Sequence, residues 1–255
     1  MEETSQFQLK KIGVGDAQKA YCCMTEVPTP WPEALCHCRD WVSENLGKYV
    51  DGYHLQSESG VVAGHIYFAD SERALFSYEV EPGAVVIYCE WIQLRFQGQG
   101  LGRNMFASFL NEIKDKKGVV IETTDIEGQM HYQHYTSRGF KIIHEEGHNK
   151  LLHLPLTQED IRYMRRESVF EPRPKVPVEI LIFRGFLCPY EVSTYLQVKD
   201  IASEFGDQIF LKEIWISPET LSEYGVSSGV MINGKRKLSG GESESSVRQA
   251  IREEL

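Results

Sequence analysis

The densest chemistry in the chain lies in the run Gln97-Gly98-Gln99-Gly100-Leu101-Gly102, followed by Arg103. A glycine-rich turn that opens a helix leaves several backbone N–H groups unpaired and aims them, with the positive end of the helix dipole, at one spot. Glycine also lets the backbone approach closely, and such a turn suits a phosphate. Three readings share that need: a mononucleotide P-loop, a dinucleotide fold and an acyl-coenzyme A site. The P-loop requires Gly-Lys-Ser/Thr at the end of the loop, and Gly102 is instead followed by Arg103 and Asn104. The dinucleotide fold requires the loop after the first strand of a βαβ unit, with an acidic residue about twenty positions on. Glu122 has the distance, but the loop follows roughly the fourth strand of the sequence pattern.

Carboxylates, histidines and thiols supply the other candidates. Glu90 stands between Cys89 and Trp91, an apolar setting that raises a carboxyl pKa. Six cysteines occur, Cys22, Cys23, Cys36, Cys38, Cys89 and Cys188, and four of them fall between positions 22 and 38 as Cys-Cys and Cys-His-Cys. That spacing does not match zinc-binding pairs separated by two to four residues, and His131 and His134 lack a completing ligand, so no metal is expected.

The elements that must position these residues alternate. Strands are expected over 7–14, 52–57, 61–69 and 84–94, with a helix over 33–45 before the second of them. After Gly102 the period becomes helical, with Met105, Phe106, Phe109, Leu110 and Ile113 on one face and Gly118 able to end the helix. A strand over 119–123, a short helix over 130–137 and strands over 140–144 and 150–156 follow. The stretch Glu171-Pro-Arg-Pro-Lys-Val-Pro177 suits neither helix nor sheet interior and marks a boundary. Beyond it the order is βαβαββα, with strands at 178–183 and 209–216, a helix from Pro218, a hairpin on Asn233-Gly234 and a helix from about Ser245.

With these motifs in place, the first part of the chain resembles the GNAT superfamily of N-acetyltransferases. The coenzyme A signature of that family, Gln/Arg-x-x-Gly-x-Gly/Ala between the fourth strand and the next helix, matches Gln97 to Gly102. The family's Tyr-x-x-x-Gly-Phe matches Tyr135 to Phe140. The resemblance covers about residues 5–156 and implies a mixed, V-splayed sheet with flanking helices and acetyl-coenzyme A in the splay. It also implies pantetheine contacts from the backbone of Ile92, Gln93 and Leu94, and a general-acid role for Tyr135 toward the departing thiolate. The Asn that the family often carries seven residues before this Tyr is Gly128 here.

Amine acylation needs a base, because an alkyl amine of pKa about 10 is mostly protonated at pH 7. Glu90, on the strand that leads to the loop, is the first candidate, with Glu79, Glu122 and His134 as substitutes. The expected activity is acetyl-coenzyme A dependent N-acetyl transfer to a small-molecule or peptide amine by direct attack on the thioester. A non-catalytic acyl-coenzyme A sensor or scaffold is the alternative.

The βαβαββα part, with Cys188-Pro189-Tyr190 at its first strand-to-helix turn, resembles the thioredoxin-like fold, and the two parts in series resemble the YoaP-type subgroup. Position 191 is Glu, so the second cysteine of a dithiol site is absent, and so is the proline usual before the third strand. Cys188 remains a candidate monothiol, which would make the chain a redox protein on a third reading. The expected division is 1–156 for the acetyltransferase domain, 157–177 for a linker and 178–255 for the thioredoxin-like domain.

Composition frames these readings. The chain has 255 residues, 42% hydrophobic and 25% charged, which fits one large or two ordinary domains and disfavours disorder. A net charge of −10 argues against broad attraction to nucleic acid or anionic lipid, and no apolar run is long enough for a transmembrane helix. The opening Met-Glu-Glu-Thr-Ser-Gln lacks the features of a secretory signal, so a cytoplasmic protein with reduced thiols is expected.

Overall fold

Two runs that read as strands, Val62–Asp70 (β3) and Ala84–Ile92 (β5), form the centre of a seven-stranded sheet in a computed structural model. The structure describes residues 7–24, 31–126, 130–168, 177–185, 188–238 and 240–255. The remaining strands of this sheet are Gln8–Lys11 (β1), Asp51–Gln56 (β2), Gly118–Thr124 (β6), Lys141–Glu146 (β7) and Asn149–Pro155 (β8). Their order is β1-β2-β3-β5-β6-β8-β7, so β5 is the fourth strand of the sheet, as the position of the glycine loop demands. Every pairing is antiparallel except β5 with β6. A parallel pair needs a crossover, and helix Leu101–Glu112 (α2) supplies it.

The apolar spacing of α2 explains its docking, because Met105, Phe106 and Phe109 are buried against Ile66, Phe68, Val85 and Ile87 of the sheet. Helix Tyr132–Thr136 (α3) adds Tyr135 to the same core. The helix ends at Glu112, before Gly118, which has another role. A Cβ at Gly118 would lie 2.9 Å from Leu154 O and meet the His153 ring, so the glycine lets β8 approach β6.

The chain folds into two compact units. One contains Met1–Cys23, Asn45–Ala74 and Glu79–Met164, and the other Met24–Glu44, Leu75–Tyr78 and Arg165–Leu255. This division departs from the sequence expectation of 1–156 and 178–255 at helix Trp31–Asn45 (α1), most of which belongs to the second unit. Aromatic and polar side chains carry it there: the Trp31 ring meets Tyr190 edge-on at 4.6 Å, and Arg184 Nη2 approaches His37 Nδ1 at 3.2 Å. Of the expected linker 157–177, residues 169–176 lie outside the described ones, whereas Tyr163–Arg165 within it forms a strand. Two short strands that the sequence pattern did not signal, Tyr78–Val80 (β4) and Tyr163–Arg165 (β9), form a separate two-stranded sheet.

In the second unit the elements are Val178–Arg184 (β10), Pro189–Ser203 (α4), Ile209–Trp215 (β11), Pro218–Tyr224 (α5), Gly229–Ile232 (β12), Lys235–Leu238 (β13) and Glu244–Arg252 (α6). The sheet order is β11-β10-β12-β13, with β10 and β11 parallel and β12 antiparallel to both of its neighbours. Local signals fix these boundaries. Ser217 caps α5 through Thr220 N–H, Pro218 occupies its first turn, and Gly225 ends it at φ 68°. Asn233 and Gly234 turn the β12–β13 hairpin at φ 49° and 76°, as a tight primed turn requires.

Candidate functional site

The two parallel strands at the centre of the first unit separate. Ala84–Ile87 pairs with Gly118–Ile121, and there the pairing stops, although β5 runs on to Ile92 and β6 to Thr124. Burial changes at the same point. The first four residues of β5 are buried, whereas Tyr88, Cys89, Trp91 and Ile92 are half-buried. At the separation, Phe68 pairs with Ile87 and Tyr67 with Cys89, leaving Tyr88 as the extra residue of a β-bulge. Bulges bend a strand and re-aim its side chains and amides.

Backbone alternation then decides which amides face the gap. Gln93 N–H donates to Ala63 O at 2.8 Å, toward β3, so the alternate residues Glu90 and Ile92 direct theirs away from β3. The Ile92 carbonyl accepts from Gln97 Nε2 at 2.8 Å, which ties the strand end to the glycine loop. Of the three residues expected to offer amides, Gln93 is therefore already engaged.

The loop itself is exposed. Gln97 N–H donates to Leu94 O, and Gln99 Nε2 to Arg95 O at 3.2 Å, so local bonds hold its shape. Gly98 and Gly100 have φ of 75° and 78°, and a Cβ at either would meet nothing within 4 Å. The left-handed backbone, and not crowding, explains why glycine stands at both positions. Gly100 is the N-cap of α2 and supplies no side chain to it. The amides of Leu101, Gly102 and Arg103 lie ahead of the first intrahelical bond, Asn104 N–H to Gly100 O. Those amides and the helix dipole give a positively polarised helix start with no Cβ at Gly98, Gly100 or Gly102, chemistry that suits an anion. Arg103 is exposed beside it.

Glu90 and Tyr135 meet through a residue that sequence reasoning passed over. Arg138 Nη1 donates to Glu90 Oε1 at 2.6 Å and lies 2.9 Å from Oε2. Its guanidinium stacks over Phe106 at 4.8 Å and faces Tyr135 at 5.9 Å. Burial pushes the Glu90 carboxyl above the usual range, and Arg138 opposes that rise. Tyr135 is fully buried. Its phenol is pushed well above 10, first by desolvation and then by the neighbouring Glu90 and Cys89, so it holds its proton at neutral pH. Arg138 was inside the motif that pointed to Tyr135. The signal that would have found it is that a buried carboxylate requires a cation.

A second polar cluster lies across β3 and β5, on residues that alternate with Ile66 and Glu90. His65, fully buried, places Nδ1 3.3 Å from Cys22 Sγ and Nε2 3.3 Å from Cys89 Sγ. Tyr67 stacks on it at 4.5 Å and is held through its hydroxyl by Tyr21 N–H and His54 Nε2, both at 3.1 Å. Burial lowers His65 to about 3 and His54 to about 4, and raises Cys22 to about 12.

The other candidates separate. Glu122 is half-buried on β6, at the first position past the β5 pairing, whereas Glu79 is exposed on β4, outside the seven-stranded sheet. His134 is exposed on α3. Leu94 is exposed at 77%. The cysteines clustered in sequence fall on different elements: Cys22 and Cys23 lie in a 3-10 turn of the first unit, Cys36 and Cys38 on α1. Cys188 is the half-buried N-cap of α4, with Pro189 after it and no side-chain cap bond. Among the described residues no group of three or more His, Cys, Asp or Glu is arranged to hold a metal ion, and no helix is long and apolar enough to cross a membrane. Gly128 lies outside the described residues.

No family model and no curated protein matches the sequence. Similar solved structures include a GNAT family N-acetyltransferase from Escherichia coli in complex with CoA, at 15% identity over 62% of this chain and 85% of that one, with a TM-score of 0.46. The ribosomal-protein-S18-alanine N-acetyltransferase from Escherichia coli is similar at 13% identity, over 60% and 96%, with a TM-score of 0.42. Ard1 from Thermoplasma volcanium is similar at 17% identity, over 60% and 99%, with a TM-score of 0.39.

Proposed function

We propose that the first unit is an acetyl-coenzyme A dependent N-acetyltransferase. The observation that carries this reading is the separation of β5 from β6 beyond Ile87 and Ile121, with an uncapped glycine cradle at the end of the same strand. A slot with inward-facing strand amides and an anion site at its end suits a long thioester with a phosphate-rich tail. The open space over Gly98 and Gly100 fits that tail. When bound, acetyl-coenzyme A supplies the activated acetyl group.

The chain's own residues then have distinct tasks. Amides from Gly98 to Arg103 hold the phosphates, and the amides of Glu90 and Ile92 orient the pantetheine arm and polarise the thioester oxygen. Glu90 takes the amine proton, directly or through a water. Arg138 keeps that carboxylate charged and fixed, and Tyr135, a neutral phenol, gives its proton to the departing sulfur. The acceptor is an amine on a small molecule or peptide.

The close hold of Arg138 on Glu90 favours a second reading, an acyl-coenzyme A sensor, in which the carboxylate is structural. Thermal unfolding with acetyl-coenzyme A tests what the two readings share: at 100 times its dissociation constant a ligand stabilises by about 2.7 kcal/mol. An unmoved transition would contradict both. Release of coenzyme A thiol on addition of amines separates enzyme from sensor.

For the second unit, the βαβαββα order and the antiparallel β12 support a thioredoxin-like module of the YoaP type. Cys188 at a helix N-terminus is its candidate monothiol. Faster alkylation of Cys188 than of the exposed Cys36 is the expected result, and slower alkylation would make it structural.

A further inference from the structure

We infer that Cys89 is a second acyl acceptor in the first unit, a thiol that takes the acyl group from a thioester when no amine is bound. The inference rests on the acyl-coenzyme A reading and adds a covalent site to it. Cys89 is half-buried and lies between the Tyr88 bulge and Glu90, in the stretch of β5 that has left β6. Two partners flank its chemistry. His65 Nε2 is 3.3 Å away, and the other nitrogen of the same ring is 3.3 Å from Cys22 Sγ. A thiol therefore faces one nitrogen of a buried imidazole whose other nitrogen is held by a third group, which fixes the ring toward the Cys89 sulfur.

Burial holds His65 neutral and Cys22 as a thiol, so one ring nitrogen donates and the other accepts. In the tautomer that the acyl step uses, the Cys22 S–H donates to Nδ1 and the ring hydrogen on Nε2 faces Cys89. In that tautomer the N–H meets the Cys89 sulfur at hydrogen-bond distance without placing a cation in the core. Tyr67, stacked on the ring and anchored by Tyr21 and His54, prevents the imidazole from turning away.

The step balances. Cys89 loses its proton to water, and its thiolate attacks the thioester carbonyl. The bond from that carbon to Cys89 sulfur forms as the bond to coenzyme A sulfur breaks, and the coenzyme thiolate takes a proton from water. No oxidant or reductant enters. Because the product is again a thioester, the acyl group remains transferable to an amine.

The test uses the full chain. Protein is incubated with acetyl-coenzyme A and no amine, and separately with p-nitrophenyl acetate. Peptide mapping then locates acetyl groups released by neutral hydroxylamine, as thioesters are. The expected result is one acetyl group, on Cys89, in both arms. Cys22→Ala is expected to slow labelling about fivefold, the value of one neutral hydrogen bond. His65→Gln, which keeps an N–H donor, is expected to label faster than His65→Leu. The wild-type map decides the matter even if these core variants do not fold. Labelling of the exposed Cys36 or of Cys188 in preference to Cys89 overturns the inference. Unlabelled thiols in a protein whose unfolding acetyl-coenzyme A shifts also overturn it, and leave the coenzyme reading standing. Labelling of Cys89 by the ester alone, with no shift from the coenzyme, supports the acceptor thiol and overturns the coenzyme as its source.

Discussion

Replacing Arg138 by Ala removes the cation that makes Glu90 tolerable inside the first unit. The Glu90 side chain is 4% exposed and that of Arg138 16%, so the carboxylate left behind has little access to water. Breaking a buried pair from one side costs about 3–5 kcal/mol, and loss of the stacking on Phe106 adds about 0.5–1 kcal/mol. The cost depends on pH in a definite direction. Burial already raises the Glu90 carboxyl above its ordinary 4.5, and without Arg138 it rises further. A group whose folded pKa is raised gives stability that is fully present below its unfolded pKa and lost as pH rises through the folded one. Arg138→Ala is therefore least harmful near pH 4.5 and most harmful near pH 8. Urea unfolding of variant and wild type at pH 5 and pH 8 reads this as a difference of differences, in which other titrations cancel. Adding Glu90→Gln to the variant should recover most of the loss at pH 8. A cost below about 1 kcal/mol, or an equal cost at both pH values, would refute the buried-pair reasoning.

Acid should loosen the first unit through His54 and His65. Their pKa values fall from 6.5 to about 4 and about 3, so the stability they confer is present above 6.5 and lost as pH falls through those values, about 3 and about 5 kcal/mol in all. NMR titration of the two imidazoles reads this directly, and midpoints near 6.5 would contradict their burial. Gly100→Ala should cost about 1–2 kcal/mol from the left-handed backbone alone, visible as a lower thermal midpoint, and should weaken acetyl-coenzyme A in a calorimetric titration. An unchanged midpoint and affinity would remove the conformational argument for the loop. Tyr135→Phe should lower turnover about a hundredfold with coenzyme affinity nearly intact, and unchanged turnover would take the phenol out of the mechanism.

What the sequence made legible was local. The glycines of the loop, the helical spacing of Met105, Phe106 and Phe109, the Asn233-Gly234 turn and the βαβαββα order each follow from a few neighbouring residues, and the elements fall where those signals lie. What it did not make legible depends on register and on distant partners. Nothing in residues 84–94 marks Ile87 as the last residue to pair with β6, since the apolar run of β5 continues unbroken through Tyr88 and Cys89. Arg138 meets Glu90 across 48 positions, and His65 meets Cys22 across 43 and Cys89 across 24. The amphipathic pattern of α1 predicted a helix but could not say which core would receive it. Cys89 closes an apolar run in the sequence, whereas its neighbour in space is an imidazole.

The central claim is that the gap between β5 and β6 and the amides that open α2 together hold acetyl-coenzyme A. Hydrogen exchange with and without acetyl-coenzyme A tests it most directly, because it reports on those amides themselves. The account predicts slowed exchange in residues 98–103 and in 88–92, with the strands of the second unit unchanged. Protection confined to the second unit, or no protection at saturating ligand, would contradict it.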